Sequence, residues 1–198
     1  MPNCQLCGES AEERCSACKT VYYCRAEHQR KDWNEHRKLC VPPGSLTVKG
    51  ILLPAKRSAP EVIAVQLARR SFAVPGEPEA DDGRDVAYIP KLQLYIGDGS
   101  YDQKFISTAN GHEGPMLKHC MRIFLRDNFL NDGSPHNKCV ANLLGPSVQQ
   151  NYWRGDLLVV KMAAEGQQGY IDGRFMDVSL EEDLEPLKRW LEWYGSLY

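Results

Sequence analysis

Eight residues near the start of the chain carry metal-ligating side chains: Cys4, Cys7, Cys15, Cys18, Cys24, His28, His36 and Cys40. They come as four pairs. Cys4/Cys7 and Cys15/Cys18 have the Cys-x2-Cys spacing in which a tight turn aims two thiolates at one ion. Cys24/His28 and His36/Cys40 are spaced i, i+4, so a helix puts each pair on one face. Zinc prefers four tetrahedral nitrogen or sulfur ligands in structural sites. Eight ligands therefore close two sites and leave no position for water, which points to structural rather than catalytic zinc. Either pairing gives each ion three thiolates and one imidazole, a site charge of about −1. Spacing alone does not say which pairs share an ion.

The full string reads Cys4-x2-Cys7-x7-Cys15-x2-Cys18-x4-Tyr23-Cys24-x3-His28-Gln29-x3-Trp33-x2-His36-x3-Cys40. It resembles the MYND zinc-finger family throughout, and departs from it at His28, where the family usually has cysteine. Imidazole is an acceptable zinc ligand, so the departure changes charge and not competence. The resemblance implies interleaved pairing, a cross-brace with Cys4, Cys7, Cys24 and His28 on one zinc and Cys15, Cys18, His36 and Cys40 on the other. It also implies a function. MYND fingers hold short proline-containing peptides, typically of Pro-x-Leu-x-Pro type, extended beside a small hairpin and against a tryptophan. The matching positions are Ser16, the hairpin Thr20 to Tyr23, and Gln29 and Trp33 on a helix. Trp33 also reads as a core residue of a small module, because tryptophan anchors and tryptophan cores look alike in sequence.

Two parts must position these residues. Val41-Pro42-Pro43-Gly44-Ser45 punctuates the chain after the last clustered cysteine. It divides a finger over residues 1–43 from a second domain over residues 44–198. Forty residues cannot bury enough apolar surface to fold alone, so zinc must supply the folding free energy of the first part. In the second, Leu46 to Leu53 and Val62 to Ala68 read as strands, rich in Val, Ile and Leu. Pro75 to Asp85 is acidic and turn-forming, the composition of an exposed loop. Val86 to Ile96 reads as a strand closed by the turn Gly97 to Ser100, and Cys120 to Arg126 as another. Ser134-Pro135 has the pattern of an N-cap opening a helix to Leu144. Leu157 to Met162 and Tyr170 to Val178 are further strands. A closing helix runs through Leu184, Leu187, Trp190, Leu191 and Tyr194 to Gly195, with one apolar stripe to bury. About six strands and two helices predict an α+β domain.

Composition excludes several roles. Net charge is −2, with seven basic against six acidic residues in the first 40 and seventeen against twenty in the remainder. A nucleic-acid binder concentrates basic charge on one footprint, so nucleic acid is not the expected partner. On the finger helix, Glu27, Asp32 and Glu35 interleave with the basic residues, the pattern of a solvated face. No apolar run approaches the roughly 18 residues of a membrane span. The start lacks a basic region followed by an apolar core, so a secretory signal is absent. Crowded cysteines without disulfide context place the protein in the cytoplasm or nucleus, where thiols stay reduced.

Segments of the second domain, Arg126 to Pro135, Trp153-Arg154-Gly155 and Asp177-Val178 with Asp183-Leu184, resemble those that follow MYND fingers in uncharacterised fungal proteins. That implies a recurrent fold and supplies no activity. A SET methyltransferase motif is missing; Pro135-His136-Asn137 is a poor substitute. Asp127 to Lys138 fails as a calcium loop, because its sixth position is Asp132 where glycine belongs. His119, Cys120, His136 and Cys139 offer a third metal site or a thiol nucleophile, against the commoner reading of inert buried cysteines. Pro90-Lys91-Leu92-Gln93-Leu94 resembles a finger ligand without its last proline, but lies within the expected strand and reads as core. The expectation is a non-enzymatic interaction protein whose finger recruits a proline-containing peptide. The alternative is an enzyme with its active site in residues 46–198 and the finger as targeting module.

Overall fold

A computed structural model of the chain describes residues 2–71, 86–145, 152–165 and 174–197. The acidic segment Pro75 to Asp85 and residues 170–173 of one expected strand lie outside them. The chain divides into two compact units, residues 1–47 and residues 48–198.

The first unit holds a two-residue ribbon, β1 (Glu13–Arg14) antiparallel to β2 (Tyr22–Tyr23), and one helix, α1 (Ala26–Leu39). Its interior is small: Ala11, Tyr23 and four cysteines. The side chain of Tyr23 is wholly buried, and its hydroxyl donates to Asp32 Oδ2 at 2.7 Å. Burial, reinforced by that carboxylate, pushes the phenol above its ordinary range. The expected hairpin Thr20 to Tyr23 is corrected: Tyr22 and Tyr23 pair back to Glu13 and Arg14, across the knuckle Cys15 to Val21.

The second unit is sheet-rich, with a curled half-barrel sheet and a few helices. Its strands are β3 (Thr47–Leu53), β4 (Glu61–Ser71), β5 (Val86–Pro90), β6 (Tyr101–Asn110), β7 (Glu113–Arg126), β8 (Leu157–Glu165) and β9 (Phe175–Met176). They run in the order β5-β4-β3-β8-β7-β6, with β9 also paired to β8. The helices are α2 (Gln93–Ile96), α3 (Lys138–Leu144) and α4 (Leu180–Gly195).

Both faces of this sheet are covered, and the apolar runs of β3 and β8 show why. Successive strand residues point to opposite faces. Ile51, Leu53, Leu157 and Val159 face one core, which α3 and α4 close with Val140, Leu187, Trp190 and Leu191. Leu52, Leu158 and Val160 face a second core, closed in part by Leu92, Tyr95 and Ile96 around α2. A strand buried on both sides reads as a continuous apolar run rather than an alternation. Gly50 has no room for a side chain, since a Cβ there would meet Val65 Cγ2 at 2.5 Å and the Val159 carbonyl at 2.9 Å.

Several expected elements are corrected. The strand expected over Val86 to Ile96 stops at Pro90, opposite Leu67, because proline has no N–H to donate onward. Leu92, Tyr95 and Ile96 then share one buried face at helical spacing. The Pro90 to Leu94 segment is thus a strand end and a helical turn, not a strand interior. The helix after Ser134-Pro135 begins later: Asn137 is its N-cap, accepting from Val140 N at 2.8 Å. Strand β6, which the sequence did not announce, pairs with β7 through two register shifts. No helix among the described residues is long and apolar enough to cross a membrane.

Candidate functional site

The eight ligand-type residues gather into two clusters. One holds Cys4, Cys7, Cys24 and His28; the other holds Cys15, Cys18, His36 and Cys40; in each the ligand atoms lie within 4.8 Å of one another. The pairing is interleaved. Sulfurs of Cys7 and Cys24 are 3.7 Å apart, and those of Cys15 and Cys40 are 3.8 Å apart. His28 Nδ1 lies 3.6 Å from Cys4 Sγ and 3.2 Å from Cys24 Sγ, and His36 Nε2 lies 3.6 Å from Cys18 Sγ. Four ligands around zinc at bond lengths of about 2.3 Å (S) and about 2.0 Å (N) place sulfurs roughly 3.8 Å apart and sulfur and nitrogen roughly 3.5 Å apart. The observed edges match that tetrahedron, so the two clusters fit two zinc ions.

Local structure explains how the ligands are delivered. Cys4/Cys7 and Cys15/Cys18 sit on turns closed by Gly8 N to Cys4 O and by Lys19 N to Cys15 O. Helix α1 supplies one imidazole to each cluster, His28 in its first turn and His36 more than two turns on. The expectation that both i, i+4 pairs lie on a helix is corrected here. Cys24 precedes the N-cap Arg25, and Cys40 is the C-cap. Extended residues at the helix ends turn these thiols toward imidazoles on the helix.

The electrostatics also call for a cation. At Cys4 burial opposes ionisation, but backbone N–H groups of Cys24 and Cys7 and the His28 ring outweigh it, bringing the thiol down to about 5. At Cys18 burial again opposes ionisation, while the hydroxyl and N–H of Thr20 bring the thiol down to about 6. Burial and the neighbouring thiols drive one other thiol in each cluster up, Cys24 to about 11 and Cys40 to about 12. Each cluster thus sets a readily ionised thiol beside one that holds its proton. A divalent ion removes that conflict by holding three thiolates at once.

A shallow groove of about 220 Å3 adjoins the second cluster, lined by Cys15, Ser16, Ala17, Gln29, Arg30 and Trp33. All three sequence-singled residues, Ser16, Gln29 and Trp33, meet there. Trp33 is 40% exposed and its ring lies 6.1 Å from that of His36. The groove runs between the Cys15 to Ala17 knuckle and α1; Thr20 to Tyr23 do not line it.

His119, Cys120, His136 and Cys139 are not brought together as a site. Among the described residues only the two finger clusters gather three or more metal-ligating side chains. Cys120 and Cys139 are fully buried, and burial pushes both thiols up, Cys139 to about 12. His136 is exposed, with Nε2 at 3.2 Å from Arg154 Nη2. The second unit also carries an open polar depression of about 270 Å3 at the β6–β7 turn, lined by Asn110, His112, Glu113, Arg189, Glu192 and Trp193 with Gly111. His112 stacks on Trp193 at 4.6 Å. Gly111, at φ +68°, must be glycine, since a Cβ would meet Trp193 Cβ at 2.8 Å.

Two closed Cys3His clusters, bridged by one helix beside a short ribbon, define a structural zinc module. Residues 4–40 match the family described as the MYND finger, and this part of the chain is a MYND finger, a zinc-binding protein-interaction module. The similarity to curated proteins includes human Egl nine homolog 1, 47% identical over 38 residues, 19% of this chain and 9% of that protein. Protein CBFA2T2 of Xenopus laevis is 36% identical over 76 residues, 36% of this chain and 13% of that protein. Mouse Tudor domain-containing protein 1 is 46% identical over 39 residues, 20% of this chain and 3% of that protein. The chain thus spans between 3% and 13% of the length of these relatives. No solved structure matches.

Proposed function

We propose that this protein recruits a partner by holding a short proline-containing peptide, of Pro-x-Leu-x-Pro type, in the groove of its finger. Ser16, Gln29 and Trp33 are the contacts, and the eight cysteines and histidines act as zinc ligands that hold the groove open. The observation that carries the reading is convergence: Ser16 on the knuckle and Gln29 and Trp33 on α1 line one groove, with the indole accessible. An extended peptide gains main-chain hydrogen bonds along such a wall, while the indole face grips a proline ring. Closed zinc clusters leave no coordination position for substrate, so the finger displays rather than reacts. Reduced thiols suit the cytoplasm or nucleus.

The test is titration of the full chain with a fluorescein-labelled Pro-x-Leu-x-Pro peptide. Interface tryptophans commonly contribute about 2 kcal/mol, so Trp33→Ala is expected to weaken binding roughly thirtyfold. Native mass spectrometry should still count two zinc ions in the variant. Unchanged affinity in a variant that keeps both metals would remove Trp33, and with it the groove, from the function.

A further inference from the structure

The groove is apolar at its floor but has a basic shoulder. We propose that the peptide it takes is acidic beside its proline segment, with carboxylates facing Arg30 and Arg37. This rests on the peptide-groove reading and specifies the partner's chemistry.

Arg30 lines the groove directly. On a helix at about 100° per residue, Ala26, Arg30 and Arg37 fall within about 60° of Trp33, all on one side of it. Neither arginine has an acidic partner among the described residues. Arg37 is half-buried, and its Nε is enclosed without a hydrogen-bond acceptor. The acids of α1 are turned away or committed. Asp32 accepts from the Tyr23 hydroxyl, and Glu35 lies 3.8 Å from Lys38. Glu27 sits about 120° around the axis from Trp33. The even charge of the finger as a whole therefore hides a local asymmetry on the side of α1 that carries Arg30 and Arg37. A peptide seated against Trp33 meets Arg30 at the groove, and, continuing along α1, reaches Arg37 one turn beyond Trp33; guanidiniums favour carboxylates in planar, bidentate geometry.

The experiment compares two labelled peptides with the same Pro-x-Leu-x-Pro core, one flanked by two glutamates and one by two lysines, titrated into the full chain. At low ionic strength, about 0.05 M, the acidic peptide should bind about fivefold more tightly, the size expected of two rim ion pairs. The preference should shrink at about 0.5 M salt, vanish in Arg30→Gln/Arg37→Gln, and reverse in Arg30→Glu/Arg37→Glu, with two zinc ions retained in both variants. Equal binding of the two peptides overturns this inference while leaving the groove reading intact, as does a preference that survives charge reversal. Binding of neither peptide overturns both. Displacement of the acidic peptide by a short DNA duplex at the same salt would reassign the shoulder to nucleic acid and overturn the inference as well.

Discussion

At the scale of single residues, the two metal clusters are not equivalent. Cys15, Cys18, His36 and Cys40 are all buried, whereas in the other cluster Cys7 is exposed and Cys24 is half-buried. A chelator must approach a ligand bond through solvent, so the cluster of Cys4, Cys7, Cys24 and His28 is expected to lose its zinc first. Timed native mass spectrometry during EDTA treatment should show a one-zinc species, with alkylation falling on Cys7 and Cys24. Simultaneous loss of both ions would contradict it. His28→Cys should retain two zincs, while His28→Ala should lower occupancy of that cluster alone. A pH effect is expected in the second unit. Burial raises Cys139 from 9.0 to about 12. The folded state thus keeps a neutral thiol where the unfolded chain ionises, and the group's contribution is full below pH 9 and is lost as pH rises toward 12. The stability advantage of the native chain over Cys139→Ala, read from urea midpoints, should shrink between pH 9 and pH 11.

At the scale of elements, Asn137 shows both what the sequence exposes and what it conceals. Its side chain caps α3 through Val140 N, and its Nδ2 donates to the carbonyls of Leu53 at 2.9 Å and Gly155 at 2.7 Å, all within a fully buried site. Asn137→Ala strands one donor and two acceptors and should cost about 3 kcal/mol in a denaturation midpoint. Asn137→Asp should cost more, because it aims a carboxylate at two carbonyls. In sequence, Ser134-Pro135 is the louder start signal, yet Pro135 is held instead by accepting from Gly155 N. Local capping chemistry was legible there; the long-range bonds that choose Asn137 were not. The same split recurs. Ligand spacing announced the finger, and the unbroken Leu-Val run announced β8. Strand β6 was hidden because its register slips near Ile106, Thr108 and Asn110 break the period of two. Three of the residues singled out in the second unit turn out to hold the fold together. Asp177 accepts from Lys49 N at 2.8 Å, Asp183 from Ser179 N at 2.8 Å, and Trp153 is buried in the core. Ser16, Gln29 and Trp33 were singled out by resemblance alone, because no spacing or periodicity says that a knuckle residue and two helix residues line one groove.

At the scale of the whole molecule, the two units differ in what stabilises them, metal in one and two buried cores in the other. A chain beginning at Ser45 keeps β3 whole and should unfold cooperatively, with a thermal midpoint close to that of the parent. EDTA should abolish the helical signal of the finger while leaving that transition in place. A molten fragment would mean that the boundary is wrong. The interleaving of ligands along the chain also sets an order of birth. During synthesis the first cluster becomes complete once His28 has emerged, whereas the second waits for Cys40. At roughly 10 residues per second that interval lasts about a second. For that moment the nascent finger can hold one ion with its helix half made, and Cys15 and Cys18 stand as an open thiol pair. The newborn chain is then most vulnerable to capture of its spare knuckle by the wrong metal, a hazard that ends when Cys40 arrives.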